Sequence, residues 1–243
     1  NLAGFLQTKW LYQDDLIIKA GIRREEIDLG VNDYSTLKLC RTADTCSIPV
    51  DVKGDTLNYR ATTYNLGIRY NLMPSFQPFA NYSQGADISD IGRLLRTATV
   101  TDIGLIQTQA SIIDNYEIGF VSDIKQLHME FSAYRSTSEL GTTNKYDQAT
   151  GVYLPVRAPQ EIYGYEALAH YKVSPELNLT ASYAWVEGKD TANDVYLGAK
   201  QISAPKATVN INWQPVENSN IAISYLYVGD RKKFDKVDGQ YVG

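Results

Sequence analysis

Apolar residues recur with a period of two along most of this chain, the signature of half-buried strands. Leu177, Leu179, Ala181, Tyr183 and Trp185 alternate with Asn178, Thr180, Ser182 and Ala184. Ala207, Val209, Ile211 and Trp213 alternate with Thr208, Asn210 and Asn212. Leu127, Met129, Phe131 and Ala133 alternate with His128, Glu130, Ser132 and Tyr134. The same pattern predicts ten strands, over residues 2–12, 15–28, 58–72, 76–86, 113–124, 127–138, 160–173, 176–188, 205–214 and 219–230. A helical period is nowhere sustained, and only a short helical turn from Asp90 to Leu95 is expected.

The connections sharpen the picture. Gln13-Asp14, Met73-Pro74-Ser75, 123–126, Ser174-Pro175-Glu176 and 215–219 are short and rich in turn residues. Between them stand long connections near 29–57, 87–112, 139–159 and 189–204. Short and long strictly alternate, so the tight turns share one end of the sheet and the long loops the other. A Greek-key sandwich need not show this asymmetry, whereas a transmembrane antiparallel β-barrel does. One face of each strand is aliphatic, with Tyr or Trp toward the ends; the other carries Asn, Ser, Thr, Glu, Lys and His. Alternation alone leaves open which face is outside. Strand length and the end-placed aromatics favour the apolar face outward. Trp10, Tyr12, Tyr70, Tyr171 and Trp213 lie beside tight turns, and Tyr82, Tyr134, Tyr165, Trp185 and Tyr227 nearer the loops. They read as two interfacial girdles.

Composition then excludes several classes. No run of 18 apolar residues is present, so no membrane helix is expected. A net charge of −5 gives no support to nucleic-acid binding. Two cysteines are too few for a disulfide scaffold. With 18 Tyr and 3 Trp against 6 Phe, amphipathic aromatics predominate, which suits a membrane–water boundary. The first residue is Asn1 rather than Met, so a mature or excised chain is expected.

Five stretches, in order, resemble the barrel of TonB-dependent outer-membrane receptors, in particular siderophore receptors. "LAGFLQTKWLYQDDLIIKAGIRRE" resembles that family's strand–turn–strand, and "FQPFANYSQGADISDIGRLLR" its Pro-aromatic-Ala strand running into a large loop. "IDNYEIGF", "YGYEALAHYKVSPELNLTASYAWVEG" and "ISAPKATVNINW" resemble its acidic strand, a later hairpin and the Ala-Pro strand. The resemblance implies a 22-stranded barrel with a plugged lumen. Residues 1–243 then supply about ten of those strands, roughly the eleventh to the twentieth, without the plug domain. It also implies a bacterial outer-membrane location and uptake of a ferric siderophore. Partners would be the TonB–ExbB–ExbD complex acting through the plug, and outer-membrane lipid and lipopolysaccharide. No nucleic acid, catalytic residue, metal site or resident cofactor is implied.

Candidate ligand contacts are Tyr34, Arg93, Arg96, Tyr146, Tyr153, Arg157 and Tyr196, all in the long connections. Arginine forks and tyrosine rings suit an anionic ferric chelate. Cys40 and Cys46 share the longest loop and are expected to form a disulfide, worth about 2–2.5 kcal/mol of chain entropy. His128 and His170, with Glu130 and Glu166, fall on the polar face, where a hydrogen-bonded network is expected in preference to a haem ligand. The Asn-Pro-Asn-Leu and Phe-Arg-Ala-Pro elements of haem receptors are missing. A passive porin is the principal rival, with a haem receptor and a soluble β-sandwich binding module behind it.

Overall fold

The computed structural model describes residues 1–233 apart from 14, 39, 41–45, 89, 90, 97, 99, 100, 106–109, 148–151, 199 and 200. All ten expected strands form. They are β1 (Leu2–Tyr12), β2 (Leu16–Gly30), β5 (Thr56–Tyr70), β6 (Gln77–Asp87), β7 (Ser111–Ile124), β8 (Leu127–Asp147), β9 (Val152–Lys172), β10 (Leu177–Asp190), β12 (Lys206–Trp213) and β13 (Ile221–Val228). Within the long connections stand β3 (Tyr34–Ser35), β4 (Asp51–Val52), β11 (Val195–Tyr196), the helical turn α1 (Ile91–Arg96) and a 3₁₀ turn (Ile103–Leu105).

The main strands pair antiparallel in chain order, as an open meander from β1 to β13, with β11 added to β10. The barrel is not closed: among the described residues β1 and β13 are the free edges. Strict alternation fixes the register, because a slip of one residue would turn every side chain to the opposite face. The two-residue link Lys125-Gln126 joins β7 to β8, with Lys125 at φ 53°.

Register separates the two faces cleanly. One row across the apolar face runs Ile18, Ile68, Ala80, Ile118, Ala133, Tyr165 and Trp185. Along β8 the apolar residues of this face run from Leu127 to Ala133, six steps, or about 20 Å of strand at about 3.4 Å each. At the usual barrel tilt of about 40° they stand about 16 Å tall, within the roughly 25 Å apolar band of a membrane barrel. Trp10, Tyr12, Tyr70, Tyr171 and Trp213 all lie on this face at the turn end. At the other end it carries Tyr82 against Tyr116 (centroids 5.1 Å apart) and Tyr165 against Trp185 (5.5 Å).

Two expectations need correction. Tyr134 does not join that girdle: it pairs with Gly164 and Glu117, on the polar face. A Cβ on Gly164 would come within 2.7 Å of its hydroxyl, so the ring lies flat over the glycine instead of projecting. The third long connection is also mostly strand. β8 runs to Asp147 and β9 starts at Val152, with a register shift between Ser138 and Gly141. Beyond the last partners in β7 and β10, this ribbon stands on its own ladder.

Candidate functional site

The polar face is the one that lines a hollow. Glu117, Glu130, Glu166, Ser182, Lys206 and Thr208 surround about 480 Å³ of open space over β7 to β12. Most of these groups are tied to their neighbours. Asn81 donates to Glu117 at 3.0 Å, and Ser182 and Thr208 share a 2.6 Å hydrogen bond. His128 sits between Asp123 (2.7 Å) and Glu130 (2.9 Å), while its cross-strand partner His170 bonds Thr180 at 2.9 Å. The histidines therefore belong to a hydrogen-bonded wall. Among the described residues no group of three or more His, Cys, Asp or Glu is arranged to hold a metal ion.

Above the hollow, the first two long connections fold onto this same face. Leu57 and Tyr59 share the parity of Asn65, Gly67 and Arg69, and so point to the polar side. They are 2% and 3% exposed, because Val52 and Ile103 pack on them. Ile27, Leu29, Val31, Tyr34, Ile88 and Leu95 complete a small apolar core between the loops and the wall. Backbone bonds stitch the loops together: Lys53 N–H donates to Thr101 (2.9 Å) and Ile103 N–H to Lys53 (3.2 Å). Cys40 and Cys46 form a disulfide. Gly54 approaches so closely that a Cβ there would fall 2.5 Å from the Asn32 carbonyl carbon. These loops form one inward-facing body at the mouth of the wall.

The proposed ligand contacts do not converge. The Tyr34 hydroxyl donates to the Leu95 carbonyl at 2.8 Å, tying the first loop to the second. Burial holds this phenol above its ordinary pKa. Arg96 is exposed, and its Nε donates to the Gly92 carbonyl within α1. Arg93 lies in α1, Tyr146 pairs with Tyr153 in the ribbon, and Arg157 pairs with Thr142; the side chains of these four lie outside the described residues. Tyr196 pairs with Lys189 on the apolar side of the wall, with the Lys189 amine 4.8 Å from its ring centroid.

The pattern gave no signal for one further feature. Glu187 and Arg231 form a buried ion pair at 2.6 Å, with side chains 5% and 9% exposed. The same Arg231 nitrogen donates to the Leu197 carbonyl at 2.6 Å. The partners are 44 residues apart, and no local rule links them. The whole arrangement can line a polar passage, narrow its mouth and hold a loop scaffold.

The comparisons agree with this architecture. The family model described as TonB dependent receptor-like, beta-barrel matches residues 1–243. A ferric aerobactin receptor of Klebsiella pneumoniae is 24% identical over 99% of this chain and 34% of its own length. A rhizobactin receptor of Rhizobium meliloti is 24% identical over 99% of this chain and 33% of its own length. The chain thus spans about a third of the length of these curated relatives. Among solved structures, the copper transporter OprC superposes with a TM-score of 0.79 at 13% identity, covering 96% of this chain and 35% of that one. The ferric-catecholate import receptor Fiu of Escherichia coli K12 gives 0.70 at 15% identity, with 96% and 35% covered. At these identities the structural likeness shows the fold.

Proposed function

The chain belongs to the TonB-dependent receptor β-barrel family, a family of outer-membrane proteins, and we propose that the protein carrying it takes up a ferric siderophore across the bacterial outer membrane. The observation that carries this reading is the match to two siderophore receptors over 99% of the chain. In this reading the described strands are a sector of barrel wall. Their apolar face meets lipid, and their polar face meets the lumen. The long connections lie on the extracellular side, where exposed Arg96 is the described candidate left to meet the anionic chelate. The TonB–ExbB–ExbD complex would supply energy through a plug domain, and lipopolysaccharide would surround the outer girdle.

The wall's own contribution is passive and polar. Ser, Thr, Asn and Glu side chains replace water around a hydrophilic cargo, and a lining already hydrogen-bonded to itself does not trap it. The inward body of the first two loops narrows the entry on the β2–β5 side. A porin also narrows its lumen with an inward loop, but the siderophore-receptor relatives favour gated uptake.

The test is uptake of radiolabelled iron by a siderophore-deficient bacterium lacking its own receptors and expressing the complete protein. Aerobactin is the first chelator to supply, followed by a wider siderophore panel, with and without TonB. TonB-dependent uptake of one chelate is the expected result. Solute entry indifferent to TonB would make the protein a porin and overturn the proposal.

A further inference from the structure

Charge on the polar face is divided between two sectors of the wall. On β7, β8 and β9 that face carries Glu117, Glu130 and Glu166. On β1, β2 and β5 it carries Lys9, Lys19 and Arg69. One row of register links the sectors: Lys9, Lys19, Gly67, Asn81 and Glu117. Lys9 and Lys19 are direct cross-strand partners, about 4.5–5.5 Å apart at Cβ, and Arg69 stands diagonal to Lys19 at about 7–8 Å. All three are exposed, and among the described residues none forms an ion pair or a side-chain hydrogen bond. Arg23, further toward the loops on β2, differs, because Glu25 answers it. Like charges directly opposite destabilise a sheet, so this corner holds positive charge that folding does not use. Asn65 and Asn81 lie flat over Gly21 and Gly67, where added Cβ atoms would fall 2.6 and 2.7 Å from their amide groups. Lys19 stands clear between these two low floors.

We propose that Lys9, Lys19 and Arg69 form an exit station for an anionic ferric chelate, so that the cargo leaves along the β1–β2–β5 side of the lumen. The proposal rests on the siderophore reading above and adds the route. Lys9 and Lys19 lie three residues from Tyr12 and Leu16 at a tight turn, about 10 Å of strand, and Arg69 lies one residue from Tyr70. In that reading the tight turns mark the periplasmic end. At the opposite end of the same sector sits the body of the first two loops, with exposed Arg96 on it. A chelate passing beneath that body meets cations on one side and carboxylates on the other. A passage lined by one sign of charge gathers the opposite ion. Two of the three cations are lysines, point charges on flexible stems that can follow a moving anion. Water surrounds all three, so screening keeps the attraction short-ranged and the cargo is not trapped.

The experiment uses the complete receptor in the siderophore-deficient host and the anionic chelate that the native protein imports, radiolabelled ferric aerobactin first. Binding is measured on cells without TonB, and initial uptake on cells with it. K9Q/K19Q/R69Q should bind the chelate as the native receptor does and import it about tenfold more slowly at saturation. K19Q alone should slow import about twofold. K9R/K19R/R69K, which keeps the charges, should import at the native rate. K172Q, at the same end of the wall but on β9, should have no effect. A heat-modifiable band on gels checks that each barrel is folded. Native import by K9Q/K19Q/R69Q overturns the exit station and leaves the siderophore reading standing. So does a matching fall in binding, which would place the cations in the capture site. New TonB-independent entry of vancomycin also overturns it, by assigning the cations to retention of the plug. If the native receptor imports no anionic chelate through TonB, the siderophore reading fails and the route falls with it.

Discussion

The first two long connections and the third were indistinguishable as intervals between strands, yet they fold by different physics. Residues 29–57 and 87–112 meet around Val52, Leu57, Tyr59 and Ile103 and bury them almost completely. In the interval 139–159 the described feature is backbone pairing: β8 and β9 continue past the sheet as a ribbon. The first is held by side chains from distant parts of the chain, and the second by its own backbone ladder. A loop that makes a core has a fixed shape and a stake in stability. A two-stranded ribbon beyond its sheet is only marginally stable by itself. The fourth connection is a third solution, pinned by one buried ion pair between Glu187 and Arg231.

The contrast can be broken from several sides. The largest effect is expected where the tie is a buried charge. Glu187→Ala leaves the Arg231 guanidinium buried without its counter-charge and should cost about 3–5 kcal/mol locally. Hydrogen exchange should rise in 189–204 and 229–233, while the first two loops stay protected. Next comes the apolar core: Ile103→Ala removes a fully buried side chain (0% exposed) and should cost about 2–5 kcal/mol. Limited proteolysis should then open 29–57 and 87–112 together, with the ribbon pattern unaltered; opening of one loop alone would contradict a shared body. Replacing Cys40 and Cys46 by Ser should cost about 2–2.5 kcal/mol through the loop they close. That loss should be read in the first loop only, as faster cleavage near 40–46.

The strut between the two loops is weaker. Tyr34→Phe removes the hydroxyl bond to Leu95 and should cost about 0.5–1.5 kcal/mol. Its pH dependence has a definite sign. The folded pKa of Tyr34 lies above the unfolded value of 10.0. Its contribution is therefore complete below pH 10 and fades as the pH rises through the folded value. Native protein should loosen its paired loops in strong alkali more than Tyr34→Phe does, by exchange or proteolysis. The smallest effect belongs to the ribbon. Replacing 142–157 by a two-residue turn should change barrel stability by less than about 0.5 kcal/mol, judged by the heat-modifiable band. A large loss there would place a hidden core under the ribbon and erase the contrast.

Much of this was legible in order of residues. The alternation of Leu127, Met129, Phe131 and Ala133 with His128, Glu130 and Ser132 is a local fact, and strand pleating converts it directly into two faces. The five turn-end aromatics, Trp10, Tyr12, Tyr70, Tyr171 and Trp213, fell on the expected face because each obeys its strand's parity. Tyr134 shows the limit. Its distance from a turn suggested a girdle, but parity placed it on the polar side, where Gly164 makes room for its ring. The candidate contacts were chosen by residue type and loop membership. Type says what Tyr34 or Tyr196 can bind, but not that Leu95 or Lys189 already occupies them.

The sequence by itself determined which residues become strands, which face of each strand is apolar, and which turns are tight, since those depend on neighbours within a few positions. Tertiary structure decided how each long connection is used: inward body, free ribbon or ion-paired strap. Leu57 meets Ile103, and Glu187 meets Arg231, only after the strands have set their register. These contacts join residues more than 40 positions apart, and it is the completed sheet that brings them within reach.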